Sequence, residues 1–349
     1  MKPPFIVAEM SASHLGEKTR AIQIIEAAAY AGADACKFQC WTPGTMCLDK
    51  TYVLQDGPWA GRRLAELYEE AYTPWEWIPD LQEAAREHGI ILFASVFDAG
   101  ALEILEHFGC PMYKIASCEL TDKALIERVA ATGKPIMISC GMGTFEEISA
   151  AWSWAISRGC RDLCLLKCSS AYPAPESGIN LATMEHMRKA FGGDKTTIGF
   201  SDHTQGIGAA IAAAVLGATV IEKHLTLSIE DGGLDAGFSI EPEEFAQMVS
   251  EVGRAVAAIG EKLYQPQEAE VLSLRRSLYA SRAIACDESL TPENVATARP
   301  ALGLPASQYS RTTNGTARAR RALAPGEPIR VEDIIVSPHS DPARIMDIA

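Results

Sequence analysis

No apolar run in this chain approaches the ~20 residues that a helical bilayer span requires, so no membrane-spanning helix is expected. Positive charge is scarce. Lys and Arg number 31 against 45 Asp and Glu, a formal net charge of −14, which argues against nucleic acid or an anionic membrane as partner. A few local lysines can still recruit an anionic substrate. No Gly-x-Gly-x-x-Gly turn follows the first apolar run, which weighs against a dinucleotide-binding fold. The ten cysteines form no loop-rich framework. Cys36, Cys118, Cys164 and Cys168 fall within predicted strands and helices and read as reduced thiols. Cys164-x-x-x-Cys168 comes near a zinc spacing, but period-two alternation along a strand explains it better. The start, Met1-Lys2-Pro3-Pro4-Phe5, runs straight into a strand without a signal-peptide pattern, and the expected location is cytoplasmic.

What is present is alternation. Short apolar runs at 5–9, 35–39, 90–95, 112–116, 136–139, 163–167, 197–201 and 219–223 read as strands. Amphipathic stretches between them read as helices, for example 19–31, 99–108, 122–131 and 145–157, with glycines marking exits at Gly32, Gly89, Gly133, Gly159 and Gly217. Eight strand–helix units in succession predict α/β architecture: a closed (β/α)8 TIM barrel, with an open doubly wound sheet as the alternative. A long insertion, 41–77, is rich in Trp, Tyr, Pro and Gly, and a helix is expected at 62–71. Its aromatics either cover a sugar face or pack the insertion onto the barrel. The predicted domains are a barrel over 1–260, a linker over 261–276, a small β-rich domain over 277–337 and a disordered tail over 338–349. The small domain carries a basic stretch, Arg311 and 318–321.

In such a barrel the last residues of successive strands converge on one pocket. Here they are Glu9, Lys37 with Gln39, Ser95, Lys114 with Ser117, Ser139, Ser170, Ser201-Asp202-His203, and Glu222 with His224. Strand interiors otherwise run apolar, so repeated polar exits mark a lined cavity. Two lysines and several serines suit an anion bearing phosphate and carboxylate, because ammonium supplies compact charge and hydroxyls rotate to donate. A Schiff-base role for Lys37 or Lys114 is the rival reading. His203 and His224 end consecutive strands and are expected to hold one divalent metal, with Asp202 and Glu222 as partners of the imidazoles. Two strong protein ligands would leave coordination positions open, as in a Lewis-acid site. His14 touches substrate or caps the following helix, and His88, His107 and His186 read as surface residues on helices.

At these residues the chain resembles the sialic-acid synthase family, whose members condense phosphoenolpyruvate with an N-acylated aldose. The stretches that carry the resemblance are 7–16 (VAEMSASHLG), 31–39 (AGADACKFQ), 113–117 (YKIAS), 139–142 (SCGM), 201–204 (SDHT) and 222–224 (EKH). They span essentially the whole chain, and the C-terminal part is similar to the family's antifreeze-like (SAF) domain. Within the family, 41–46 (WTPGTM), 67–77 (LYEEAYTPWEW), 276–280 (RSLYA) and 299–304 (RPALGL) are similar to the pseudaminic-acid-forming subgroup. Legionaminic or N-acetylneuraminic acid synthesis is the runner-up. Schiff-base aldolases and non-catalytic sugar-binding proteins stand as alternatives from other classes.

The resemblance implies that Lys37, Ser95, Lys114, Ser117, Ser139 and Ser170 bind phosphoenolpyruvate, and that Glu9 faces the reacting carbons. It implies manganese, or else magnesium or cobalt, on His203 and His224. Gln39 and Asp235 would line the sugar site, and Arg299 would reach an N-acyl group in a partner's barrel within a domain-swapped homodimer. Ser13, Val96 and Cys140 depart from the family's usual Asn, Pro and Thr.

Overall fold

Strands buried on both faces need no polar alternation, and the eight short apolar runs behave accordingly. In the computed structural model, which describes residues 2–264 and 269–336, they form β1 (Phe5–Glu9), β2 (Ala35–Cys40), β3 (Ile91–Val96), β4 (Tyr113–Ile115), β5 (Ile136–Ser139), β6 (Leu163–Cys168), β7 (Thr196–Asp202) and β8 (Val220–His224). All neighbours are parallel, and β8 returns to β1, so the sheet closes as a barrel and the open-sheet alternative is excluded. The closing register sets Glu9 opposite both Lys37 on β2 and His224 on β8. On the other side it sets Ser201 opposite Glu222 and Asp202 opposite Lys223.

Helices return the chain between strands. The one at Phe145–Ser157 starts on a capping box in which Thr144 and Glu147 satisfy each other's exposed backbone donors. Asp98 and Asp122 cap the helices that follow β3 and β4. Gly199 allows β7 and β8 to approach: a Cβ there would lie 2.8 Å from the Val220 carbonyl oxygen. Among the described residues no helix is long and apolar enough to cross a membrane.

The 41–77 insertion carries a helix at Leu64–Ala71 and is fastened to the barrel at several points. Trp41, 2% exposed, packs edge-on against Tyr68 and Phe97. His14 is fully buried; its Nδ1 accepts the Gly16 N–H at 3.0 Å, so Nε2 bears the proton and donates to Thr73 Oγ1 at 3.0 Å. Burial holds the His14 imidazole down at about 4, which keeps it neutral. His14 makes no cap bond to the helix Lys18–Tyr30 and instead ties the insertion to the first strand-end loop.

Residues 261–349 form a second unit. Its described part pairs β9 (Ser277–Ala280) with β10 (Val295–Ala298), and β11 (Ala317–Ala319) with β12 (Ile334–Val336), both antiparallel. They enclose a small core that includes Leu278, Ile284, Leu290, Leu323 and Ile329. The basic stretch is tied down locally: Arg318 pairs with Asp287, and Arg321 with Glu327 and Asp333. The tail expected to be disordered lies outside the described residues.

Candidate active site at the carboxyl rim of the barrel

The polar strand ends gather at one rim. Lys37, 2% exposed, contacts Glu9 Oε2, donates to Ser95 Oγ at 2.8 Å and lies 3.6 Å from Glu222 Oε2. Lys114 Nζ donates to Glu222 Oε1 at 3.3 Å, and Ser201 Oγ donates to the same oxygen at 2.9 Å. Two ammoniums therefore flank one carboxylate in a place where water does not reach. Burial alone would push the Glu222 carboxyl up; Lys114, Lys37 and the Ser201 hydroxyl outweigh it and hold the group well below the usual carboxylate range. The same burial pushes Lys37 down to about 7, with Glu222 opposing the shift and Lys114 adding to it.

Beside the lysines, Gly141 opens a cradle. A Cβ there would sit 2.5 Å from Ser170 Oγ and 3.0 Å from Ser117 Oγ, so only glycine lets both hydroxyls approach this backbone. The Gly141 N–H donates to Ser117 Oγ at 3.0 Å. The hydroxyls of Ser139 and Ser170 and Oε2 of Glu222 are buried without a hydrogen-bond partner. Unsatisfied buried polar atoms cost stability, so several of them around one cradle point to a ligand.

Across the mouth, the rings of His203 and His224 lie 5.3 Å apart, centroid to centroid. His203 Nδ1 is 2.7 Å from the Ser169 carbonyl oxygen. A carbonyl can only accept, so Nδ1 carries a proton. Burial opposes a second proton, but Cys168, the Ser169 carbonyl and Glu222 outweigh it and raise the His203 value, and in the neutral ring the lone pair is on Nε2. His224 Nδ1 has no hydrogen-bond partner and lies 4.0 Å from Asp235 Oδ2. Burial, then the neighbouring His203 and Lys37, holds His224 well below its ordinary value, so its imidazole is neutral. Among the described residues no group of three or more His, Cys, Asp or Glu is arranged to hold a metal.

The expected carboxylate partners of the histidines are corrected here. Strand alternation sends residues 201, 203, 222 and 224 inward and residues 202 and 223 outward. Asp202 accordingly pairs with Lys223, and Glu222 turns to the lysines. Neither carboxylate hydrogen-bonds an imidazole. The Cys164–Cys168 spacing likewise lies along β6, and all ten cysteines are free thiols. Cys168 Sγ faces His203 Nδ1, the protonated nitrogen, at 3.8 Å.

The residues expected around a sugar divide. Gln39 donates to Ser11 Oγ at 2.8 Å, and Asp235 accepts the Ala12 N–H at 3.2 Å, so both line the first strand-end loop. Burial raises the Asp235 carboxyl, against the hydrogen bonds from Ser11 and Ala12. Ser13, a departure from the family's Asn, has a buried hydroxyl without a partner. Arg299 lies on the second unit, exposed, next to Pro300.

Sequence reasoning missed an aromatic wall beside the histidines. Tyr172 packs on His203 at 4.3 Å and Phe238 on His224 at 5.0 Å. With Trp59, Arg62 and Leu234 they line a cleft of about 420 Å³, and the Trp59 indole N–H is anchored on the Leu234 carbonyl at 3.1 Å. The insertion's aromatics thus divide, Trp41 packing the insertion onto the barrel and Trp59 lining the cleft. Glu119 was also missed. Its Oε2 is buried without a partner, and burial pushes its carboxyl up to about 7 against the pull of Lys114. The signal was present as one more polar residue at the β4 exit, two places after Ser117.

Comparison with known proteins adds a family. The NeuB family profile matches residues 24–264 and the SAF domain profile residues 275–335. The pseudaminic acid synthase of Helicobacter pylori is 38% identical over 342 residues, covering 96% of this chain and 98% of that one. The N,N'-diacetyllegionaminic acid synthase of Campylobacter jejuni is 31% identical over 88% of this chain and 94% of its own. The solved N-acetylneuraminic acid (sialic acid) synthetase of Leptospira borgpetersenii, in complex with citrate, superposes with a TM-score of 0.69 at 31% identity, covering 77% of this chain and 89% of its own.

Proposed function

Because the chain belongs to the NeuB family, we propose that it is a pseudaminic acid synthase, condensing phosphoenolpyruvate with open-chain 2,4-diacetamido-2,4,6-trideoxy-L-altrose and water to give pseudaminic acid and phosphate. The observation that carries this reading is the lysine–serine cradle around Gly141, incompletely satisfied and facing a pair of imidazoles. The choice of sugar rests on 38% identity to a pseudaminic acid synthase against 31% to a legionaminic one.

Lys37 and Lys114, with Ser95, Ser117, Ser139 and Ser170, bind the phosphate and carboxylate, which fixes the enol face for attack. The bound anion competes with Glu9 and Glu222 for the ammoniums, and the protonated form of Lys37 is favoured as it binds. His203 and His224 fit a divalent metal, manganese first: His203 in its neutral form offers Nε2, because Nδ1–H is held by the Ser169 carbonyl, and His224 is neutral with an unpaired nitrogen. Such an ion supplies Lewis acidity at the aldehyde oxygen when bound.

The C2=C3 π pair of phosphoenolpyruvate forms the bond from C3 to the aldehyde carbon, and the aldehyde oxygen becomes a hydroxyl with the proton released by the water that adds at C2. Glu9, held beside the cradle by the Ser11 N–H at 2.7 Å, removes a proton from the water that adds at C2. The resulting intermediate expels phosphate by C–O cleavage. The aldose's far end, with its acetamido and methyl groups, lies along Trp59, Tyr172 and Phe238. Arg299 contacts an N-acyl group from the partner chain of a cytoplasmic, domain-swapped homodimer. Its guanidinium has no partner among the described residues.

The test is phosphate release from phosphoenolpyruvate with manganese and each candidate diacetamido sugar, with an EDTA control and bridging oxygen-18. Label in the released phosphate, with the altrose derivative preferred, is expected. Label in the sugar, or borohydride trapping with pyruvate, would overturn the mechanism.

A further inference from the structure

Asp202 and Lys223 form an ion pair in which neither side chain has any exposed surface. Each residue immediately precedes one of the two histidines, and the two are direct partners across β7 and β8. Lys223 Nζ lies 3.0 Å from Asp202 Oδ2 and also donates to the carbonyl oxygen of Thr204. Asp202 Oδ1 accepts the Thr204 N–H at 2.9 Å and the Thr204 hydroxyl at 2.8 Å. The residues on either side of His203 are thereby tied to the residue that precedes His224.

Stability alone is a poor reason for such a pair. Well-packed apolar replacements of a buried ion pair are often neutral or stabilising, while removing one partner is strongly destabilising because it strands a charge. What the pair adds is geometry, since charge-assisted bonds at fixed distances pin two strand ends that apolar packing would leave free to slide. Two imidazoles that share one small cation at ~2.0–2.2 Å tolerate little sliding.

We propose that Asp202–Lys223 is a positioning pair that sets the separation and mutual tilt of His203 and His224, 5.3 Å and 59° between ring centroids and planes, so that both serve one divalent cation. Neither residue touches substrate or reacting atoms. The proposal rests on the metal reading of the histidine pair, and its test separates the two.

The variants are Asp202→Leu with Lys223→Met together, the isosteric Asp202→Asn, and Lys223→Arg as the conservative rescue. The readouts are Mn2+ affinity by titration calorimetry, phosphoenolpyruvate affinity, thermal unfolding, and the ¹⁵N imidazole signals of metal-free protein at fixed pH. The apolar double variant is expected to unfold near the wild-type temperature yet bind Mn2+ about 10–100-fold more weakly, the scale set by supports of metal ligands elsewhere. Its His203 Nδ1–H signal, held in the wild type by Ser169, shifts or broadens, while phosphoenolpyruvate affinity stays within about twofold, because Asp202 and Lys223 lie on the opposite strand face from the cradle. Lys223→Arg restores both signals. Wild-type Mn2+ affinity in the double variant overturns the proposal, as does wild-type affinity in Asp202→Asn should the double fail to fold. If the wild type binds no Mn2+, the metal reading fails; the imidazole signals then decide the positioning role alone, an unmoved His203 signal refuting it.

Discussion

Two buried charge networks meet back to back at β8, through Glu222 and Lys223, and they are built differently. The outer one, Asp202–Lys223 with Thr204, is closed: its carboxylate oxygens and its ammonium all have partners, and no side-chain surface is exposed. The inner one, Glu9–Lys37–Glu222–Lys114, is open: Glu222 Oε2 and the hydroxyls of Ser139 and Ser170 lack hydrogen bonds, and the Lys37 ammonium is pushed down to about 7. A charge network serving only the scaffold can satisfy itself, whereas one that must receive a ligand has to leave donors and acceptors unspent. The two faces of β8 thus separate holding from binding.

The strongest way to break that distinction is at the inner face. Lys37→Met is expected to lower kcat/KM for phosphoenolpyruvate by about 10³-fold or more, since it removes a charge-assisted contact made to the bound anion. His203→Ala is expected to abolish turnover and Mn2+ binding, with circular dichroism showing the fold retained; full activity in that variant would refute the metal assignment. At the outer face, Lys223→Met alone is expected to destabilise by ~3–5 kcal/mol in denaturant melts, because Asp202 is left charged and buried.

The pH dependence sharpens the contrast. Lys37 has a folded value, about 7, below its unfolded 10.5. Between those values the unfolded chain binds the extra proton, so this group makes stability rise with pH across that window. Anion binding needs the ammonium, so kcat/KM for phosphoenolpyruvate falls as pH rises above 7, and binding there takes up a proton, measurable in buffers of different ionisation enthalpy. The smallest effect belongs to the cleft. Trp59→Ala is expected to raise KM for the sugar about 3–10-fold while leaving phosphoenolpyruvate unaffected, the scale of one aromatic contact.

Much of the inner face was legible in the sequence because parallel barrel strands read as apolar runs, and polar residues at their exits, such as Lys37 after Ala35-Cys36, have no solvated side to occupy. Strand bounds came within a residue or two, and the helix at Phe145–Ser157 coincides with its apolar period. Partners were harder. The sequence places Asp202 and Glu222 beside histidines, but alternation along a strand points neighbours in opposite directions, and only the register across strands shows that Lys223 and the two rim lysines claim those carboxylates. Trp59 was illegible for another reason. Its place in the cleft depends on how an irregular insertion folds back to the Leu234 carbonyl, which no periodicity encodes. Glu119 was hidden by a short helical turn, Ser117–Glu119, that breaks the strand's own alternation.

The most direct test is phosphoenolpyruvate affinity by calorimetry, without metal or sugar, in wild type, in Lys37→Met and in the Asp202→Leu/Lys223→Met double variant. An open inner network and a closed outer one predict at least ~100-fold weaker binding in the first variant, from loss of a buried charge-assisted pair, and wild-type affinity in the second. Equal binding in Lys37→Met, or lost binding in the double variant, would contradict it.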